Sequence, residues 1–218
     1  MLLLGIDTST SAITVALHDG AAVVATRTLV DPRGHTEHLA PLVQQALRDA
    51  GVAPRDLTDL AVGTGPGPFT GLRVGLVTAH TLGHVLGIPV HGVCSLDALA
   101  EMVAADADGE LLVATDARRK EVYWARYAAS AGRAHRLSEP AVDRPAEIAW
   151  TTRSSPTAGR GPLLYPDLFP NAVGPLDVDA AALAEIAVQR VRAGEPMPVE
   201  PRYLRRPDAL TTAERAAR

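Results

Sequence analysis

The stretch Leu60 to Val93, LAVGTGPGPFTGLRVGLVTAHTLGHVLGIPVHGV, decides how the rest of the chain is read. Leu60 to Val62 are apolar and partly β-branched, as in a buried strand, and the Gly/Pro-rich run from Gly63 to Pro68 then breaks regular structure. That run is not a phosphate-cradling P-loop, because it lacks a G-K-S or G-K-T ending and its prolines remove N–H donors. A helix follows at once. Thr70 is its expected cap, since a threonine hydroxyl can accept a bond from an unpaired N–H of the first turn, and Gly87 with Pro89 ends it before a second strand. Within the helix Gly71, Gly75, Ala79 and Gly83 fall four apart and line one ridge, which lets another backbone come close. Glycine costs about 1 kcal/mol relative to alanine inside a helix, so this ridge implies a compensating contact. Two contacts satisfy it: the chain's own sheet, or a partner helix.

Working back from that unit, residues 2–6 and 12–17 read as strands joined by the hydroxyl-rich turn Asp7-Thr8-Ser9-Thr10-Ser11, and residues 21–29 as a third after the Asp19-Gly20 turn. Leu39, Leu42, Val43, Ala46, Leu47 and Ala50 then recur at three and four as in a helix stopped by Gly51, with Pro41 in its first turn or kinking it. Working forward, Ser95 is the expected cap of a shorter helix carrying Leu96, Leu99, Ala100 and Val103. The polar stretch Asp106 to Gly109 marks a boundary between an N-terminal lobe, residues 1–105, and a smaller C-terminal lobe, residues 106–218. The second lobe repeats the opening order: a strand over 111–115, a charged turn Asp116 to Lys120, a strand over 121–128 and a third around 133–137. Residues 138–178 are rich in Pro and Gly and give no ordered pattern. Asp179 opens a helix ended by Gly194, Pro196 to Pro201 is extended, and the charged, Ala-rich last dozen residues read as a mobile tail.

At 218 residues with 47% hydrophobic residues, the chain can bury a full core, and with only 4% aromatics that core must come from Ala, Val and Leu. The net charge of −4 provides no overall basic stripe for a nucleic-acid backbone, so any RNA contact has to be local or made by a partner. The single cysteine, Cys94, excludes an internal disulfide and a Cys-based zinc knuckle. The apolar start MLLLGID has no basic leader and reads as a strand. No apolar run approaches the roughly 20 residues of a membrane span, and a cytoplasmic protein with no membrane partner is expected.

Asp7, Thr8, Ser9 and Thr10 are candidates for a vestigial phosphate turn, hydroxyls and N–H groups facing the oxygens and the Asp facing a magnesium-bound water; the alternative is a turn that bonds itself. Asp116 with Arg118 is the second-lobe counterpart, or else a solvated hairpin tip. His80 with His84 and His35 with His38 have metal-pair spacing but no supporting Cys or H-E-x-x-H context, which favours surface histidines. No G-x-S-x-G supports a serine nucleophile.

Two lobes each opening with an Asp-bearing β-turn-β unit resemble the actin-like (ASKHA) ATPase fold, an α/β architecture. More closely, GIDTSTSAITVAL (5–17), HTEHLAPLV (35–43), GTGPGPFTGLRVGL (63–76), LGIPVHGVCSLDALA (86–100), ATDARRKEVYWARY (114–127) and PRYLR (201–205) are similar to the bacterial TsaB (YeaZ) family of tRNA threonylcarbamoyladenosine biosynthesis proteins. Pro68 departs from that pattern, where a Ser before Phe-Thr-Gly-Leu-Arg is usual. The resemblance implies a non-catalytic partner of a TsaD-like enzyme that makes N6-threonylcarbamoyladenosine at position 37 of tRNAs reading ANN codons. It also implies a TsaE-like ATPase in the same complex, a homodimer when the chain is alone, and tRNA met only through the complex. TsaD-type chains carry an H-x-E-G-H-like signature whose histidines bind the catalytic metal, whereas Ser95 and Leu99 stand at the matching positions here, with Asp97 for the glutamate. No cofactor is then expected for this chain. ATP, Mg and the catalytic metal belong to its partners. The expected partner interface is the helix at 37–50 with the ridge helix, through His35, Glu37, Phe69, Thr70, Gly71, Arg73, Gly75, Ala79 and Gly83. The rival readings are a glycoprotease-like peptidase and a small nucleotide-dependent kinase of the same fold.

Overall fold

A computed structural model describes residues 1–205; the expected tail lies outside the described residues. The chain opens with β1 (Leu3–Asp7), β2 (Ala12–His18) and β3 (Val23–Val30), followed by α1 (His35–Ala50), β4 (Asp59–Gly63), α2 (Phe69–Leu86), β5 (Val90–Val93) and α3 (Ser95–Ala104). Then come β6 (Gly109–Asp116), β7 (Val122–Ser130), β8 (Arg133–Arg136), β9 (Ala141–Asp143), α4 (Trp150–Arg153), β10 (Thr157–Ala158), α5 (Gly161–Leu164) and α6 (Ala180–Ala193). The first sheet has the order β3-β2-β1-β4-β5, with the opening meander antiparallel and β4 and β5 parallel to β1. The second runs β10-β6-β7-β8, with β9 pairing the far end of β7.

β1 and β2 are buried along their whole length, which requires cover on both faces of the first sheet. Side chains alternate across a strand, and the two sets go to different cores. Leu4, Ile6, Ile13, Val15 and Leu17 meet Leu39, Leu42 and Val43 of α1 and Leu72 and Leu76 of α2. On the other face Leu3 and Ala61 join α3 and α6, and the same cluster continues into Leu111, Val113 and Tyr127 of the second sheet. α6 therefore lies on the first sheet although it follows the second in sequence. The close packing needs a glycine: a β-carbon on Gly5 would stand 3.0 Å from the Ala180 carbonyl oxygen and 3.2 Å from the Ala184 β-carbon. The helix that follows the second sheet in sequence thus packs into the core of the first.

Two expected caps also move. α2 begins at Phe69 behind Pro68, and α3 begins at Ser95 behind Cys94, in both cases without a side-chain capping bond. Thr70 and Ser95 sit inside the first turns. The Asp179 cap is observed, its carboxylate accepting from Ala181 N–H at 2.9 Å. Among the described residues no helix is long and apolar enough to cross a membrane.

Candidate functional site

The β1–β2 turn is tied into the protein by its own polar groups. Asp7 is fully buried; its Oδ1 accepts from Ser9 N–H at 2.8 Å and Ser9 Oγ at 2.7 Å, and its Oδ2 accepts from Ser95 Oγ at 2.6 Å. Burial pushes its carboxyl above the ordinary value, opposed by the hydrogen bonds from Ser95 and Ser9. Gly63 is glycine because a β-carbon there would fall 1.8 Å from Asp7 Oδ2. Thr8 Oγ1 donates to Gly71 C=O at 2.8 Å and accepts from Gly75 N–H at 3.0 Å, so one hydroxyl joins the two backbone groups of a single helical step in α2. Thr10 Oγ1 accepts from Ala12 N–H at 3.3 Å, and the Thr10 carbonyl accepts from His35 Nε2 at 3.0 Å. Asp7, Thr8 and Ser9 thus spend their side-chain oxygens inside the chain, the arrangement expected of a turn that bonds itself.

The ridge of α2 is likewise turned inward. A β-carbon on Gly71 would meet the Thr8 carbonyl oxygen at 2.9 Å, one on Gly75 would meet Thr8 Oγ1 at 2.6 Å, and one on Gly83 would meet Val90 at 2.4 Å; Ala79 is fully buried. Of the expected interface residues, His35, Gly71, Gly75, Ala79 and Gly83 are thus internal, while Glu37, Phe69, Thr70 and Arg73 are exposed. The outward face of α2 carries residues the sequence reading passed over. Val77 is 62% exposed and Val85 72%, with His80, Thr81 and His84 exposed between them. At its N-terminal end the Arg73 guanidinium lies 3.6 Å over the Phe69 ring, and Arg73 Nε donates to Tyr203 Oη at 3.0 Å.

Ser95 and Leu99 are both consumed by the fold, Ser95 bonding Asp7 and accepting from Gly65 N–H at 3.1 Å, Leu99 fully buried in the apolar cluster shared with the second sheet. These residues cannot supply the paired imidazoles of a metal site. Asp97 is a hub instead. It accepts from Tyr127 Oη at 2.9 Å and from Arg136 at 2.9 and 2.5 Å, tying α3 to the second sheet. Burial pushes the Cys94 thiol up to about 12, so it is no ready nucleophile.

Between the two halves lies a cleft of about 430 Å³. The β1–β2 turn lines it from one side and the β6–β7 turn, with Asp116, Arg118 and Arg119, from the other. Asp116 keeps 22% of its side chain exposed, its Oδ1 accepting from Arg118 N–H at 2.7 Å and its Oδ2 pairing with Arg118 Nη1 at 3.1 Å. The two Asp-led turns that the sequence paired therefore do face one another. His80 and His84 are surface residues, and among the described residues no group of three or more His, Cys, Asp or Glu could hold a metal ion.

Two α/β halves, each opening on a β-turn-β unit across a common cleft, define an actin-like fold. The sequence model of the family described as TsaD, tRNA N6-adenosine threonylcarbamoyltransferase, matches residues 27–188. YeaZ from Pseudomonas aeruginosa superposes with a TM-score of 0.80 at 30% identity, over 93% of this chain and 99% of that one. An uncharacterized protein of Mycobacterium leprae is 43% identical over 95% of this chain and 56% of its own length. The tRNA threonylcarbamoyladenosine biosynthesis protein TsaB of Escherichia coli is 41% identical over 58% of this chain and 55% of its own length. The chain thus matches about half the length of these two curated relatives. It belongs to the TsaB (YeaZ) family, as its motifs led us to expect.

Proposed function

We propose that this chain acts in tRNA threonylcarbamoyladenosine biosynthesis as a non-catalytic partner of a TsaD-like enzyme, in a complex that a TsaE-like ATPase joins. The observation that carries this reading is the fate of Ser95 and Leu99. Where the resemblance places metal-binding histidines, this chain has a hydroxyl engaged by Asp7 and a buried leucine. Such a chain contributes through association. Its outward α2 face, with Val77 and Val85 exposed on a long helix, is the surface on which a partner helix pair would pack. In this reading ATP, Mg and the catalytic metal are held by partners, tRNA is met through the complex, and a second copy competes for the same helical face when the partner is absent.

The test is a pull-down from native lysate with mass spectrometry, together with threonylcarbamoyl transfer assays on the purified chain. We expect a TsaD-like protein as a stoichiometric companion, and no transfer to tRNA until it is added. Transfer by this chain alone, or capture without any TsaD-like protein, would overturn the reading.

A further inference from the structure

After α6 the chain runs from Glu195 to Arg205 without helix or strand, yet it is tied down along its length. Pro196, Pro198 and Pro201 stiffen its backbone. Met197 is buried in the core that continues between the two halves, and its carbonyl accepts from Gly92 N–H at 2.9 Å. Gly92 has to be glycine here, because a β-carbon would run into the Pro198 carbonyl. Val199 packs against the core of the first half, and Arg202 N–H donates to the Thr64 carbonyl of the Gly/Pro loop at 2.9 Å.

The end of this strap reaches both walls of the cleft. Tyr203 grips the first half: its ring centroid lies 5.1 Å from that of Phe69, and its Oη accepts from Arg73 Nε at 3.0 Å, both partners belonging to the start of α2. Arg205 grips the second half: Nη1 donates to the Ala117 carbonyl at 2.8 Å, and Nε faces Glu121 Oε2 at 3.4 Å. Two residues of chain span at most about 7 Å, so the two grips cannot part independently.

Ala117 and Glu121 bracket an unusual turn. Arg118, Arg119 and Lys120 have φ of 62°, 50° and 63° in succession, the left-handed region that a β-carbon makes costly. Such a backbone persists only where its surroundings over-determine it. Arg118 N–H donates to Asp116 Oδ1 at 2.7 Å, Glu121 N–H to the Arg118 carbonyl at 2.9 Å and Ala117 N–H to the Glu121 carbonyl at 3.1 Å, all between neighbours in sequence. Arg205 adds a tie from outside.

We propose that residues 200–205 are a clamp across the mouth of the cleft, anchored on α2 by Tyr203 and holding the β6–β7 turn in its strained shape through Arg205. Releasing either end lets the turn relax, so the cleft wall that it forms is set from α2. The clamp does not depend on the assembly reading above.

The test is hydrogen–deuterium exchange of the full chain, read by mass spectrometry at the bonded amides of Ala117, Arg118 and Glu121. Tyr203 is 41% exposed and the Arg205 side chain 20%, so neither truncation to alanine opens the core. Arg205→Ala should speed exchange at the turn at least about tenfold, and Tyr203→Ala, made on the other half, at least about threefold, while peptides from β1, β2 and α6 exchange as in wild type. Because the two side chains act in series, the double variant should exchange no faster than about twice the Arg205→Ala rate. Wild-type exchange at the turn in Tyr203→Ala would overturn the clamp. So would a double variant in which the two effects multiply, the mark of two independent contacts, or an acceleration spread evenly over all peptides, the mark of lost global stability.

Discussion

The two faces of α2 are built from the same kind of residue and serve opposite ends. Its inner face, Gly71, Gly75, Ala79 and Gly83, is stripped of side chain so that Thr8, His35 and Val90 can touch the helix. Its outer face keeps apolar side chains, Val77 and Val85, that nothing among the described residues covers. An apolar helix therefore carries two messages. Small residues report how close a neighbour within the chain has come, while the larger apolar residues left in solvent mark the face on which, in the reading proposed above, another chain packs.

The inner face should break first and hardest. Gly75→Leu puts a β-carbon 2.6 Å from Thr8 Oγ1 and a larger group behind it, so we expect about 3 kcal/mol or more of destabilisation, read as a large drop in the thermal midpoint. An unchanged midpoint would mean that the ridge faces outward after all. Thr8→Val removes the hydroxyl that serves Gly71 and Gly75 but lets those two groups bond one another, which should cost about 1–2 kcal/mol by denaturant titration, with Thr8→Ser close to wild type.

The pin beneath that face has a pH signature. The folded state raises the Asp7 carboxyl above its unfolded value, so the folded protein binds the proton more tightly. The Asp7 contribution is then fully present below the ordinary carboxylate value and is lost as pH rises through the raised one. Denaturation curves taken from the ordinary carboxylate value upward should show this slope in wild type and a flatter one in Asp7→Asn. Equal slopes would place the titration elsewhere. Smallest in stability is the outer face, where Val77→Glu with Val85→Glu should move the unfolding free energy of the monomer by no more than about 0.5 kcal/mol.

Much of this was legible in the sequence, for identifiable reasons. The strands flanking the Gly/Pro loop, the long helix and its Gly87 stop could be read because apolar runs and breakers are local signals. Ser95 was misread as a cap because its hydroxyl is drawn to Asp7, a partner far away in sequence that no local pattern announces. Residues 138–178 escaped for another reason: β9, β10, α4 and α5 are each two to four residues long, too short to show a period. The ridge was visible but its direction was not, because apolar residues lie on both faces of α2. Val77 and Val85 stand on the side opposite the glycines, and that contrast was the available sign. The placement of α6 on the first sheet came only from packing, through Gly5 and Ala184.

The central claim is that this chain works by presenting the outer face of α2 to a TsaD-like partner. It is tested most directly by titrating that partner with wild type and with the Val77→Glu, Val85→Glu variant, each checked for thermal unfolding as a monomer so that the stability dimerisation itself adds is set aside. We predict that the variant unfolds like wild type and binds at least about a hundredfold more weakly, as expected when buried apolar anchors at the centre of an interface become charged. A variant that binds the partner at wild-type strength would contradict the claim and move the docking surface off α2.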